Sequence, residues 1–219
     1  MTIDRVLEPE VMNSIEESEA YANMDFLSVN TDFVDQLIRL GACSGHFLDI
    51  GTGPAQIPIL LAQRQPQVSI TAVDLSEEML KIAEKEVQSA NLSQRVTLQM
   101  ADAKKLPFPD DYFDGVFSNS VIHHIPEPIK VMLEVKRVLK PSGLIFFRDL
   151  KRLESVAAIN TIVTKYAKDD TEHQRKLFRD SLFAALTVEE MTEIIRSVNL
   201  EAMVTSSSDR HWSIEPNLK

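Results

Sequence analysis

The sequence predicts an α/β fold: a doubly wound, mostly parallel seven-stranded sheet with an antiparallel closing strand and a helical lid. Three observations carry that reading. Between residues 46 and 150, apolar runs of strand length alternate with stretches of helical periodicity, and repeated strand–helix units with right-handed crossovers build a parallel sheet covered on both faces. After residue 150 the alternation stops, and residues 153–186 carry two helical patterns with no strand between them. Residues 200–205 and 210–214 then read as two short strands joined by a serine-rich turn, and a strand pair with no helix between its members adds an antiparallel strand.

The elements follow in order. Residues 30–41 read as a helix capped by Asn30 or Thr31, with Phe33, Val34, Leu37 and Ile38 on its apolar face and Gly41 at its end. Phe47, Leu48 and Ile50 form a buried strand, Gly51 and Gly53 a turn, and Ile57, Leu60 and Leu61 the inner face of a helix. Pro58 is tolerated there because first-turn N–H groups have no intrahelical partner. Residues 68–73 make a second strand ending in Asp74. Ser76 caps the next helix, with Glu77 and Glu78 in its first turn and Met79, Ile82, Ala83 and Val87 buried.

Residues 95–100 form the third strand, 104–111 a loop with two prolines, and 112–118 the fourth strand, which runs out into Asn119 to His124. Pro128 opens a helix with Ile129, Met132, Leu133, Val135 and Leu139 inward, closed by the turn at 140–143. Residues 144–147 are the fifth strand, leaving through Arg148-Asp149-Leu150. Thr187 to Glu190 is a capping box leading a helix with Met191, Ile194, Ile195 and Val198 inward. The whole reads as one domain, 1–219: cap helices at 1–45, a core at 46–150, a helical insert at 151–186, and a closing helix and strand pair at 187–219.

The loop after the first strand narrows the ligand. Asp74 lies 21 positions beyond Gly53, where a carboxylate meets a ribose diol in a nucleotide-binding βαβ unit. A dinucleotide site wants glycines at the first, third and sixth positions of the loop, so that pyrophosphate sits on the helix N-terminus. Here the sixth position is Gln56 and the fifth is the small Ala55. A nucleoside ligand without phosphates fits that loop, and S-adenosylmethionine (SAM) is such a ligand.

Composition sets the outer bounds. With 219 residues, 44% of them hydrophobic, the chain can bury the core of one α/β domain. Its net charge of −10, with no stretch dominated by Lys and Arg, argues against a nucleic-acid backbone as partner. The single Cys43 cannot form an intrachain disulfide, and no Cys/His cluster has zinc spacing. No apolar run approaches the ~18 residues of a membrane helix, and residues 1–20 lack the apolar core of a signal peptide. A soluble cytoplasmic protein is the expectation.

Six segments in sequence carry a resemblance: residues 47–53 (FLDIGTG), 73–76 (VDLS), 101–103 (ADA), 106–108 with 113–114 (LPF, FD), 121–125 (VIHHI) and 138–143 (VLKPSG). Their succession resembles the class I SAM-dependent methyltransferases, particularly the small-molecule branch. The departure is Ala55 at the third glycine. The resemblance implies SAM as cofactor, S-adenosylhomocysteine as product, and a role for each matching residue. Asp49 and the backbone of Gly51, Thr52 and Gly53 would hold the methionine ends, and Asp74 both ribose hydroxyls. Leu75 and Met79 would cover one adenine face, Asp102 would take the exocyclic amine with Ala103 beside a ring nitrogen, and Ser118 and Asn119 would line the methionine side. Each has a plainer alternative: Asp74 and Asp102 as turn caps, Met79 as core.

Methyl transfer is an in-line displacement, so the enzyme mainly supplies geometry and excludes water; a base is needed where the acceptor arrives protonated. The candidates are His123, His124, Asp149 and, from the N-terminal segment, Tyr21 and Asp25; in related folds that segment closes over SAM, and Tyr21 and Asp25 are also expected to contact the acceptor. For Asp149 the alternative is an ion pair with Arg148 or Lys151. Adjacent histidines alternate faces at a strand end and lack helical i,i+4 spacing, so no metal is expected. The insert is expected to line a small-molecule acceptor pocket: Val156, Ile159, Ile162 and Val163 pack inward, leaving Thr164, Tyr166, Phe178 or Arg179 for the acceptor. A homodimer interface is the competing use. Two other functions compete, a non-catalytic SAM-binding regulator and a NAD-dependent oxidoreductase; Gln56, Asp102 and the closing strand pair count against the latter.

Overall fold

The computed structural model describes residues 3–8 and 26–217, so Tyr21 and Asp25 lie outside the described residues. The described elements run α1 (Leu27–Arg39), β1 (Ser44–Ile50), α2 (Gln56–Arg64), β2 (Gln67–Asp74), α3 (Glu77–Ser89), β3 (Val96–Met100) and β4 (Phe113–Asn119). A single 3₁₀ turn (Ile122–His124) follows, then α4 (Pro128–Val138), β5 (Leu139–Leu150), α5 (Val156–Tyr166), α6 (Glu172–Ala184), α7 (Val188–Ser197), β6 (Ala202–Ser206) and β7 (His211–Pro216). The strands form one seven-stranded sheet in the order β3-β2-β1-β4-β5-β7-β6. All neighbouring pairs from β3 to β5 are parallel, while β7 runs antiparallel to both β5 and β6. The strand order reverses between β1 and β4, which opens a crevice at the carboxyl edge.

Strand alternation divides the core. Phe47, Ile70, Phe117 and Phe146 face α1, α2 and α3 through Phe33, Leu37, Leu61 and Ala83. Their neighbours Leu48, Val116, Ile145 and Phe147 face α4 and α7 through Val131, Val135, Met191 and Ile195. Burial on both faces is what a parallel sheet requires. The α5–α6 insert has its own small core of Leu153, Ile159, Val163 and Leu182, joined to the sheet through Leu150.

Several expectations are corrected. Helix α1 begins at Leu27, three residues early, because the Asn30 N–H already bonds the Phe26 carbonyl at 2.8 Å. The Asn30 side chain is buried and donates to Gln56 Oε1 at 2.8 Å instead of capping, and the Thr31 hydroxyl bonds back to the Leu27 carbonyl. In α4 the buried stripe is Pro128, Val131, Met132, Val135 and Val138. Ile129 and Leu133 are exposed, and Leu139 already belongs to β5. That helix is apolar on more than one face, so its pattern admitted two phases and the sheet selected the one carrying Val131 and Val138. Val156, in the first turn of α5, is also exposed.

Close packing of β4 against β1 gives a direct test. A Cβ on Gly115 would lie 2.4 Å from Phe47 Cε1 and 3.1 Å from the Leu144 carbonyl. Gly115→Ala is expected to cost about 1–3 kcal/mol by overpacking, seen as a lower urea midpoint at unchanged m-value. Adding Phe47→Leu recovers part of the loss.

Candidate functional site

The site begins where β1 ends. Gly51 (φ +69°) and Gly53 (φ +52°) both take left-handed backbone, and Ala55 follows at +61°, a conformation glycine adopts freely and alanine at a cost of about 1–2 kcal/mol. The missing third glycine is thus replaced without a change of chain path. The Gly51 and Thr52 N–H groups bond the Val73 carbonyl at 2.8 and 3.0 Å. A Cβ on Gly51 would sit 2.0 Å from Val121 Cγ2, so the chain leaving β4 packs directly over the chain leaving β1. Ser118 strengthens that seam, its buried hydroxyl donating to the Ile50 carbonyl at 2.7 Å.

Asp74 shapes this loop. Its Oδ2 accepts the Gly53 N–H at 2.8 Å and its Oδ1 the Ser76 N–H at 2.9 Å, while Ser76 caps α3 by accepting from the Met79 N–H. The Leu75 N–H also bonds this carboxylate, and three backbone donors on about four lone-pair sites still leave capacity for a ligand hydroxyl. Burial raises the Asp74 pKa above its ordinary value, against the pull of those backbone donors. Asp49 is buried behind the loop, and burial pushes its pKa up to about 7, with the nearby Asp74 charge adding to the rise. The buried Thr52 hydroxyl lies beside this carboxyl and draws its pKa down, opposing the rise from burial. A buried carboxyl and hydroxyl side by side behind the loop suit a polar head group such as that of methionine.

The remaining cofactor candidates are dispersed around the edge. Leu75 is exposed beside Asp74, whereas Met79 is buried. Asp102 Oδ1 accepts the Lys104 N–H at 2.9 Å and pairs with its Nζ at 3.1 Å, forming a turn cap, and Ala103 packs on the core. Asn119 Oδ1 accepts from Arg148 Nε at 3.2 Å.

His123, His124 and Asp149 come together. The two histidines lie on the 3₁₀ turn rather than alternating across a strand, with ring centroids 4.1 Å apart. Asp149, at the end of β5, is fully buried and accepts from the Ile122 N–H, the Leu150 N–H and His123 Nδ1. Its partner is therefore His123, not Arg148, which turns to Asn119, nor Lys151, which donates to Ser206 Oγ. Burial opposes charge on either member, but their mutual attraction prevails: Asp149 is held below its ordinary pKa and His123 above its own.

The sequence reading missed a strap formed by residues 3–8. Arg5 donates to the carbonyls of Ala184, His123 and Ile125 at 2.6, 3.1 and 3.0 Å. Glu8 reaches His124 Nδ1 at 3.1 Å, His123 Nε2 at 3.6 Å and the Ser181 hydroxyl at 3.0 Å. These contacts span 115 (Glu8 to His123) to 179 (Arg5 to Ala184) positions along the chain, and no local pattern encodes them.

The insert also lines a groove of about 650 Å³ with Arg152, Ala158, Thr161 and Ile162, against Thr187 and Asp209. It lies toward β6 and β7, away from the glycine loop. Tyr166 is stacked under Arg210 and bonds Asp209, and Phe178 packs on the insert core, so neither is a free acceptor contact. Among the described residues, no helix is long and apolar enough to cross a membrane.

Fold and loop together define a SAM-type nucleoside site, and comparison with known proteins agrees. The family model described as a methyltransferase domain matches residues 48–147. A ubiquinone/menaquinone biosynthesis C-methyltransferase from Rickettsia massiliae (strain Mtu5) is 38% identical over 116 residues, 51% of this chain and 46% of its own length. A 27-O-demethylrifamycin SV methyltransferase from Amycolatopsis mediterranei (strain S699) is 29% identical over 171 residues, 78% of this chain and 59% of its own. The crystal structure of a SAM-dependent methyltransferase from Aquifex aeolicus shares the fold at TM-score 0.70 and 20% identity, covering 93% of this chain and 97% of that one. Over residues 48–147 the chain matches a methyltransferase domain, and its fold is that of SAM-dependent methyltransferases. It spans about half the length of the curated relatives it matches.

Asp49 makes stability depend on pH. Its folded pKa of about 7 exceeds the ordinary 3.8, so the folded state holds the proton more tightly. The ligand-free protein therefore loses stability as pH rises between the two values, by up to about 1.4 kcal/mol per pH unit. Denaturant titrations of wild type and Asp49→Asn are expected to show wild type losing ground to the variant from pH 5 to pH 8.

Proposed function

We propose that this protein transfers the methyl group of SAM to a small-molecule acceptor by in-line displacement, releasing S-adenosylhomocysteine. The observation that carries the reading is the glycine loop held against Asp74, with the buried Thr52 hydroxyl and Asp49 carboxyl together behind it. Asp49 and the Gly51–Gly53 backbone hold the methionine ends, Asp74 the ribose diol, Leu75 and Met79 the adenine face, and Asp102 with Ala103 the adenine edge. Ser118 and Asn119 border the methionine side. The acceptor lies over the 3₁₀ turn, where Asp149 fixes His123 so that Nε2 presents its lone pair; in the metal-free protein that lone pair, or His124, receives the acceptor's proton. Tyr21 and Asp25 complete the acceptor side.

Matches to a quinone-pathway C-methyltransferase and a demethylrifamycin methyltransferase support a small organic acceptor rather than a nucleic acid, as does the net charge of −10. One domain with core 46–150 and insert 151–186 performs the reaction in the cytoplasm, and a homodimer built on the insert is the second use of that segment.

Asp74→Asn keeps an acceptor for the loop N–H groups but loses the charge-assisted bonds to the ribose, each contributing about 1.5–3 kcal/mol. SAM affinity measured by calorimetry is expected to fall tenfold or more with circular dichroism unchanged; unaltered affinity overturns the ribose assignment. Gly53→Val places a β-branched residue at φ +52° and is expected to abolish SAM binding. Equilibrium dialysis against labelled SAM and NAD(H) separates the methyltransferase from the oxidoreductase reading. Incubation with a metabolite pool, read by mass spectrometry for S-adenosylhomocysteine and a product heavier by one methyl group, decides between an enzyme and a SAM-binding regulator.

A further inference from the structure

The geometry points to a divalent transition-metal site formed by Glu8, His123 and His124. Their donor atoms all lie within 4.8 Å of one another. The separations from Glu8 Oε1 are 3.1 Å to His124 Nδ1 and 3.6 Å to His123 Nε2. Two ligands each about 2.1 Å from a tetrahedral ion lie about 3.4 Å apart, so one ion can sit between these atoms with little rearrangement.

The surroundings are those of a supported site. Asp149 accepts the Nδ1 proton of His123 at 2.5 Å, which fixes the tautomer and leaves the Nε2 lone pair facing Glu8. The Ser181 hydroxyl orients Glu8 from the insert at 3.0 Å. Imidazole and carboxylate ligands held by such outer partners are the usual build of a metal centre. His124 Nδ1 is buried and faces Glu8 Oε1 at 3.1 Å, and the two histidines hold the Glu8 carboxyl below its ordinary pKa against burial. A cation bound between them would take the place of that ion pair.

Charge favours a cation as well. The carboxylates of Glu8 and Asp149 lie at the site, while the Arg5 Nη2 beside them is engaged with the His123 and Ile125 carbonyls. Two imidazoles and one carboxylate suit zinc and similar ions, and three protein ligands leave a coordination position open. With the acceptor placed over the 3₁₀ turn that carries both histidines, a cation there would hold an oxygen or nitrogen of the acceptor. This last step rests on the methyl-transfer reading; the site itself does not.

The test titrates the chelator-dialysed full chain with Zn²⁺ by calorimetry. One site per chain with Kd of about 1 µM or tighter is expected, weakened about 100-fold in Glu8→Gln and in His124→Asn, with circular dichroism confirming that both variants fold. Co²⁺ is the second probe, giving a visible absorption band that both variants lose. Absence of stoichiometric Zn²⁺ binding overturns the proposal, and so does binding of equal strength in both variants, which would place the ion elsewhere, for example at Cys43. SAM titrated in parallel into metal-free protein keeps the two readings apart: SAM binding without Zn²⁺ binding rejects the metal site alone, and Zn²⁺ binding without SAM binding rejects the methyl-transfer reading alone.

Discussion

The buried carboxylate of Asp149 is the constraint on which the acceptor side of this molecule depends. It stands at the end of β5 with almost no exposure and accepts from the Ile122 N–H, the Leu150 N–H and the His123 ring. A carboxylate so placed is tolerated only when its lone pairs are filled, and removing one partner of such a pair costs about 3–5 kcal/mol. The fold therefore has to bring the 3₁₀ turn back over the end of β5. Once it does, Val121 is pressed onto Gly51, and the exits of β1 and β4 close into one seam. The loop that suits SAM and the histidines that suit an acceptor become neighbours through that seam.

Asp74 performs the corresponding task one strand away, accepting from Gly53 and Ser76. Both carboxylates satisfy backbone groups that would otherwise be orphaned where parallel strands end. They differ in what they leave free. Asp74 is partly exposed and bonds backbone donors only, whereas Asp149 is fully buried and spends its capacity on the turn, holding His123. Asp149 is thus a positioning residue and Asp74 a binding candidate, although both are strand-end aspartates in the sequence.

How much could be read beforehand follows from the range of the interactions. The seven strands, the Ser76 cap, the Thr187–Glu190 capping box and the Gly51–Asp74 relation depend on neighbours or on one βαβ unit, and each was legible. The phase of α4 was not, because that helix is apolar on more than one face and the choice between Ile129 and Val131 lies with the sheet. The start of α1 was missed because Asn30, a good capping residue, finds a better partner in Gln56. The histidine pair was misread by treating Ile122 to His124 as a continuation of β4; the chain bends there after Ser120 takes a positive φ of 59°, and both rings then turn toward Glu8.

The two halves of the cleft are consequently stabilised in different ways. The glycine-loop half is local in sequence: its loop, its Asp74 anchor and its helix cap lie within one strand–helix–strand unit, with Val121 and Ser118 pressed on from β4. The acceptor half is assembled from segments far apart in the chain, with Arg5 and Glu8 binding the 3₁₀ turn to α6. The two groups of contacts therefore differ in range: the Gly53–Asp74 bond closes within one βαβ unit, whereas the strap joins the 3₁₀ turn to α6 across most of the chain. Motif residues carry the first kind of contact, and no local motif contains the second.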